Sequence, residues 1–264
     1  AAMSDVTASL PLMLKHLRLG SIKDHWQPLA DKAVTEHWRP EQYLSELCAL
    51  ELASREDKRL QRYLKDATLP PGKQLGSFNF DAVTGVTKPH ISQLINQPDW
   101  VKRGDNLLLF GASGIGKTHL ASSIGYGLIE AGIRVKFVAA TALVQSLQRA
   151  KEALRLSDAL ARLDKYAVLI IDDLGYVRKT EQESTVLFEL IAHRYERHSL
   201  IITSNQDFEH WDKLFEDTIM TVSTLMQGQH DLEDLFEVAE GLPGLSEVFL
   251  HDMVVKQIDG QQVM

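Results

Sequence analysis

One cysteine, Cys48, stands among 264 residues, so the chain can close no disulfide within itself and build no thiolate metal cluster. It reads as a small apolar residue on a helix. No apolar run nears the ~20 residues that a membrane-spanning helix requires, and no charged segment followed by an apolar core and a small-residue cleavage site opens the chain. The expected location is therefore cytoplasmic, with no membrane partner. The ten histidines show no metal-ligand spacing, which argues against a zinc site. Arginine is missing after Arg197. Residues 199–264 hold 2 basic and 13 acidic side chains, against 14 and 12 over 1–104 and 12 and 11 over 105–198, so the net charge of -8 sits at the end of the chain.

What the chain does have is an apolar content of 44%, enough at this length for a sizeable core in one large domain, alone or with a small appendage. Residues 8–66 carry helical periodicity, through Leu10, Leu14, Leu17 and Ile22, then break at WRPEQ, where Pro40 suits the first turn of a new helix. That helix is read as long, with Leu44, Leu47, Leu50, Leu52, Leu60 and Leu64 as its apolar positions. Arg55, Lys58, Arg59, Arg62 and Lys65 gather toward its end. They read either as a solvated face favoured at a helix C-terminus, with Glu51, Glu56 and Asp57 interleaved, or as a DNA-phosphate patch.

LPPGKQLGSFNF, residues 69–80, reads as a linker, with a domain boundary near residue 75: a helical 1–75 region followed by 76–264. Beyond it short apolar runs at 106–110, 134–138, 166–171 and 199–203 alternate with helical patterns at 117–131, 140–163 and 181–197. This alternation predicts an α/β fold, a parallel sheet with helices on both faces.

The first of these strands runs into GASGIGKT, residues 111–118, a G-x-x-x-x-G-K-[ST] loop with a strand before it and a helix after it. Gly111, Ala112, Ser113, Gly114, Ile115 and Gly116 would turn successive backbone N–H groups onto phosphate oxygens, with Lys117, Thr118 and His119 opening the helix whose N-terminal dipole favours the same anion. Lys117 is expected at the β and γ phosphates and Thr118 on Mg²⁺. A nucleoside triphosphate site also needs a carboxylate for its metal at the end of a neighbouring strand, and YAVLIIDDLGY, residues 166–176, offers two. Adjacent residues at a strand end point in opposite directions, so Asp172 can hold Mg²⁺ through water while Asp173 acts as general base toward the attacking water. SLIITSNQ, residues 199–206, ends a further strand in Asn205, a neutral group suited to orient that water.

In order, the stretches EDKRLQRYLKDA, LPPGKQLGSFNFDA, DNLLLFGASGIGKTHLASSIGYGLIEAGIRV, LDKYAVLIIDDLGYV, LFELIAHRYE and LIITSNQDFEHWDKLFEDTIMTV resemble the IstB family of insertion-sequence helper ATPases, a branch of the AAA+ class near DnaC-type helicase loaders. The resemblance runs from about residue 10 to 222. It implies an AAA+ P-loop NTPase with a parallel five-stranded sheet, preceded by a small all-helical domain that contacts DNA and transposase. It also implies an ATP- and Mg²⁺-dependent enzyme that assembles as a homo-oligomer on double-stranded DNA, bends or marks it, and recruits a cognate transposase. Lys117, Thr118, Asp172, Asp173 and Asn205 would carry over position by position, Asn205 as the first sensor.

From Ser223 on the sequence departs from the family pattern, and FLHDMVVKQIDG, residues 249–260, is the candidate for the fifth strand. The departure removes the arginines the family places there. A transition-state arginine can be worth about 10³ to 10⁵ in rate, and Arg194, Arg197 and Arg178 are the remaining candidates, Arg194 foremost. Three readings follow: a DNA-dependent ATPase of transposition, a helicase loader preferring single strands, and a nucleotide-binding assembly switch with little hydrolysis whose acidic tail contacts a basic partner or covers the DNA surface. Pattern alone fixes no sequence-specific DNA-recognition motif, and binding mainly to the phosphate backbone is the simpler expectation.

Overall fold

Three helices form the amino-terminal region: α1 (Ala2–His16), α2 (Gly20–Thr35) and α3 (Pro40–Ala67). The computed structural model describes residues 2–83, 86–174, 180–195, 197–205, 247–249 and 253–258. It falls into two compact units, Ala1–Arg62 and Tyr63–Met264. In the first, Leu14, Ile22 and Leu47 are buried, with Leu10, Trp26, Leu29 and Tyr43 packed against them, as the helical spacing of these side chains requires. Pro40 opens α3, where its missing N–H would have had no helical partner.

The start of α2 has no side-chain cap of its own, since its N-cap residue is Leu19. Glu51 of α3, only 7% exposed, supplies one: its Oε2 accepts from the N–H groups of Ser21 at 2.9 Å and Ile22 at 3.3 Å. Arg55 donates to the other oxygen of Glu51 at 2.9 Å and to the carbonyl of Arg18 at 3.0 Å, just past α1. One acid and one base thereby tie three helices together. Burial pushes the Glu51 carboxyl up, but Arg55 and the two N–H groups outweigh it and hold the group below its ordinary range.

The second unit begins its α/β part after two short helices, α4 (Lys88–Asn96) and α5 (Asp99–Arg103). There follow β1 (Asn106–Gly111), α6 (Lys117–Glu130), β2 (Val135–Ala139), α7 (Ala140–Glu152), α8 (Leu156–Leu163), β3 (Val168–Asp172), α9 (Glu181–Arg194), β4 (Ser199–Ser204), β5 (Glu247–Phe249) and β6 (Met253–Ile258). The sheet order is β2-β3-β4-β1-β6-β5. β1 to β4 are mutually parallel. On one face Leu108, Phe110, Leu169, Ile171, Leu200 and Ile202 join the buried side chains of α7, α8 and α9. The alternate residues Leu107, Leu109, Ile170 and Ile201 are buried too, and Gly125 of α6 lies against Ile170, so α6 covers the opposite face.

Two expectations need correction. Among the described residues the parallel sheet has four strands, not five: Met253–Ile258 does lie beside β1, but antiparallel, from Asn106↔Ile258 to Gly111↔Met253. Three residues separate it from β5, far fewer than a parallel crossover needs, so β5 and β6 pair as an antiparallel ribbon. The helical stretch expected over 140–163 is divided into two helices, α7 and α8, broken at Ala153, Leu154 and Arg155.

The Pro/Gly-rich stretch 69–80 is bound along α6. Tyr126 donates to the carbonyl of Pro70 at 3.1 Å, Ser123 to that of Lys73 at 3.1 Å, and the ring of His119 meets Ser77 Oγ at 3.2 Å. No helix among the described residues is long and apolar enough to cross a membrane.

Candidate nucleotide site

The carboxyl ends of β1, β3 and β4 bring the expected residues together, at the edge of the sheet where parallel α/β folds bind ligands. Gly111 ends β1, and Ala112, Ser113, Gly114, Ile115 and Gly116 form the turn into α6. Gly116, with φ 99, is the N-cap of α6, and a Cβ there would stand 2.9 Å from Phe78 Cε2; both the backbone and the neighbouring ring demand glycine. Lys117 is buried at the first turn, its Nζ donating to the carbonyls of Gly111 and Ala112 at 2.7 Å each. His119 faces the 69–80 stretch, with its ring edge-on to Phe78 at 5.2 Å.

Asp172 ends β3 and is buried. Its Oδ2 accepts from Thr118 Oγ1 at 3.1 Å and its Oδ1 from Thr203 Oγ1 at 2.7 Å. Thr203, on β4, accepts in turn from the backbone N–H of Asp173 at 2.9 Å. One hydroxyl thus fixes the orientation of the Asp172 carboxylate and the position of the next residue's backbone. Asp173 has φ 59, a left-handed conformation that Asp tolerates and most side chains do not. Sequence reasoning passes over Thr203. Its signal is a polar side chain inside a strand buried at every position, where a hydroxyl persists only if it is hydrogen-bonded.

Burial raises the Asp173 carboxyl, and the negative charge of Asp172 raises it further, against the pull of Lys117 and Lys73. A raised carboxyl is a better base, which suits proton removal from water. Burial lowers the Lys117 ammonium, while Asp173 and Asp172 draw it back up. Asn205 follows β4 directly, and among the described residues its buried Oδ1 has no hydrogen-bond partner.

A hydroxyl and a carboxylate 3.1 Å apart, both hard oxygen donors, fit Mg²⁺, which completes its shell from water and phosphate. Among the described residues no group of three or more His, Cys, Asp or Glu could hold a metal by itself.

The arginine candidates separate. Arg194 is 1% exposed, and its guanidinium donates to the carbonyls of Leu163, Tyr166 and Ser199 at 3.1, 3.0 and 3.2 Å. Burial lowers its pKa to about 10. A trans-acting role needs a guanidinium that a neighbouring subunit can reach; this one instead ties the end of α9 to the starts of β3 and β4. Arg197 is exposed. Arg178 lies outside the described residues.

On α3, Arg55, Lys58, Arg59, Arg62 and Lys65 are all exposed, and their spacing places them on one helical stripe. Arg55 is engaged with Glu51 and the Arg18 carbonyl, and Arg59 pairs with Glu56.

Strand, glycine-rich turn, buried lysine and paired aspartates across a parallel sheet define a P-loop ATPase of the AAA+ class. The sequence pattern of the family described as IstB-like ATP binding protein matches residues 12–236, so it continues past Val222. An insertion-sequence ATP-binding protein of Sinorhizobium fredii is 48% identical over 83% of this chain and 73% of its own length. The ATP-binding protein of insertion sequence IS21 from Pseudomonas aeruginosa is 32% identical over 82% of this chain and 81% of its own. The chain belongs to the IstB-like ATP-binding family. The replication initiator DnaA bound to AMPPCP and single-stranded DNA superposes with a TM-score of 0.51 at 19% identity, over 61% of this chain and 49% of that one, which shows a shared fold.

Proposed function

We propose that this ATPase is an insertion-sequence transposition helper that assembles on duplex DNA in its ATP-bound form, remodels that DNA and presents it to a transposase. Family membership supports the helper role. The observation that carries the ATP-dependent part is the continuous chain of hydrogen bonds from Thr118 through Asp172 and Thr203 to the backbone of Asp173. It joins the phosphate loop to the Asp172 carboxylate and to the backbone that carries Asp173, so that a nucleotide held at one end is linked to the groups at the other.

Bound Mg-ATP would supply the anhydride that is cleaved and a metal charge to offset that of the phosphates. The loop N–H groups and Lys117 would hold the phosphates, Thr118 and Asp172 would hold the metal, Asp173 would take the proton of the attacking water, and Asn205 would align that water. Arg197 is the reachable candidate for a transition-state cation given to a neighbouring copy. The α3 stripe of Arg55, Lys58, Arg59, Arg62 and Lys65 serves the DNA backbone. The helical 1–75 region is the DNA and transposase module, and 76–264 the ATPase domain with its acidic end.

The test measures ATP hydrolysis with Mg²⁺, with and without long duplex DNA, beside sedimentation of the protein on that DNA. Duplex-stimulated turnover lost in Asp173→Ala, together with ATP-dependent assembly lost in Lys117→Ala, is the expected result. Assembly indifferent to nucleotide and to Lys117 would sink the proposal. Preference for single strands in competition would favour a helicase loader, and tight ATP binding without turnover an assembly switch.

A further inference from the structure

Three successive carbonyls in the stretch 69–80 are engaged by side chains. Ser77 Oγ lies 2.9 Å from the carbonyl oxygen of Gly72 and 2.8 Å from that of Gln74. Ser123 of α6 donates to the one between them, that of Lys73, at 3.1 Å, and His119 Nε2 stands 3.2 Å from that of Gln74. Gly72, with φ 74, supplies the turn. Further along, Phe78 packs so close to Gly116 that a Cβ there would stand 2.9 Å from its ring. Gly116, His119 and Ser123 belong to the start of α6, the end that carries the phosphate loop. The backbone of Lys73 is therefore fixed on both sides and anchored to the nucleotide site.

Lys73 itself is half-buried. Among the described residues its ammonium forms no ion pair and no hydrogen bond. Its charge nonetheless reaches the site: burial and Asp172 raise the Asp173 carboxyl, and Lys117 and then Lys73 draw it down. Two lysines from separate segments thus bear on one carboxylate. A nucleoside triphosphate adds its own negative charge to that of Asp172 and Asp173, while the guanidinium of Arg194 is spent on backbone carbonyls and no arginine follows Arg197. A lysine ammonium, a compact charge with three donors on a flexible stem, suits phosphate oxygens.

We infer that Lys73 is a further phosphate-binding residue of the nucleotide site, the 69–80 stretch delivering its ammonium to the terminal phosphate of a nucleoside triphosphate. The contacts of Ser77, Ser123 and His119 hold the backbone from which that side chain extends, so the cation comes from a segment outside the glycine-rich turn. The turn and Lys117 serve a diphosphate and a triphosphate alike; a second cation at the terminal phosphate makes the site distinguish them. The inference rests on the Mg-ATP reading proposed above and adds the group by which the site tells ATP from ADP.

The test uses the full chain with Mg²⁺ and reads the affinities of ATP and ADP separately, by displacement of a fluorescent ATP analogue, beside turnover and the melting temperature. Lys73→Met keeps the length of the stem and removes the charge. It is expected to weaken ATP about 10- to 100-fold, the worth of one hydrogen bond to a charged group, while ADP binds within a few-fold of the parent and the protein melts with it. Lys73→Gln, a second uncharged variant, carries the same expectation, and Lys73→Arg is expected to keep the parent's preference for ATP. Equal losses for ATP and ADP, unrescued by arginine, would make Lys73 a residue that only holds the 69–80 stretch in place. Unchanged affinities in both uncharged variants would show that its charge does not reach the phosphate; either result overturns the inference. A parent that binds neither nucleotide overturns the Mg-ATP reading and the inference with it. A parent that binds ATP without turnover ends the hydrolysis reading alone, and the ratio of the two affinities still decides for or against Lys73.

Discussion

Thr203 links both aspartates through one hydroxyl, donating to Asp172 and accepting from the backbone of Asp173. Replacing it by valine keeps the shape and removes both bonds. A hydrogen bond to a charged group contributes about 1.5–3 kcal/mol, so Thr203→Val should lower kcat by about 10- to 100-fold. KM for ATP should move by only a few-fold, because Lys117 and the loop are untouched; Thr203→Ser should restore turnover, and titration of Mg²⁺ against a fluorescent ATP analogue should show weakened metal dependence in the valine variant alone. Equal losses in KM and kcat, unrescued by serine, would make Thr203 a packing residue. Asp173 yields a prediction of opposite sign for stability and activity. Its folded pKa lies above the ordinary 3.8, so its protonated form is favoured by folding, the stability this gives is fully present at low pH, and it is lost as pH rises through the folded value. At neutral pH the ionised carboxylate therefore opposes folding, and Asp173→Asn should melt higher than the parent while hydrolysing no ATP. That advantage should shrink as pH falls toward and below the raised pKa; a variant that melts lower at pH 7 would contradict the assignment. The paired carboxylates of the site are legible because carboxylates at the end of an apolar strand are conspicuous. Thr203 is not, because threonine is also a common strand former and its partners lie on neighbouring strands. Arg194 misleads for a related reason: sequence spacing marks a helix end but does not show that backbone carbonyls at the end of α8 and the starts of β3 and β4 close over its guanidinium.

At the scale of elements, the four parallel strands and α6 can be read from apolar runs and the phosphate-loop motif, and the structure sets them within a residue or two of their expected limits. The break between α7 and α8 cannot, since ALR at 153–155 contains neither glycine nor proline and the turn is held by backbone bonds alone. The close approach of α4 to α6 is likewise hidden. Gly127 of α6 meets Ile95 of α4 so closely that a Cβ would stand 2.5 Å from Ile95 Cγ2 and 2.8 Å from its Cδ1. Gly127→Ala should therefore destabilise the protein, in spite of alanine's higher helix propensity, by about 1–3 kcal/mol as overpacking does. Trimming the partner tests the cause: with Ile95→Ala already in place, the same alanine should be neutral or stabilising, since the ~1 kcal/mol propensity gain then stands alone. Additive effects in denaturant melts of the two single variants and the double would refute this contact as the reason for glycine.

At the scale of the whole molecule, the end of the chain combines an acidic excess with a structural duty. Residues 199–264 carry 13 acidic side chains against 2 basic ones, which invites their removal to ask whether they cover a DNA surface. Yet β6 pairs with the full length of β1, the strand that ends in Gly111 and delivers the phosphate loop. The antiparallel direction of this pairing is not legible in sequence, because an apolar strand carries no mark of its direction; the connection decides it. Cutting after Val222 exposes the N–H and C=O groups along one edge of β1, a template for pairing with another chain. The shortened protein should therefore scatter light at micromolar concentration and bind ATP more weakly, whereas a chain ending at Ile258 should remain dispersed and bind ATP as the full chain does. Each must be measured before any gain in DNA affinity is assigned to the removal of negative charge. If the chain cut at 222 is monodisperse with unchanged ATP affinity, β6 is dispensable to the sheet, and a rise in DNA binding that disappears at high salt then belongs to the acidic residues themselves.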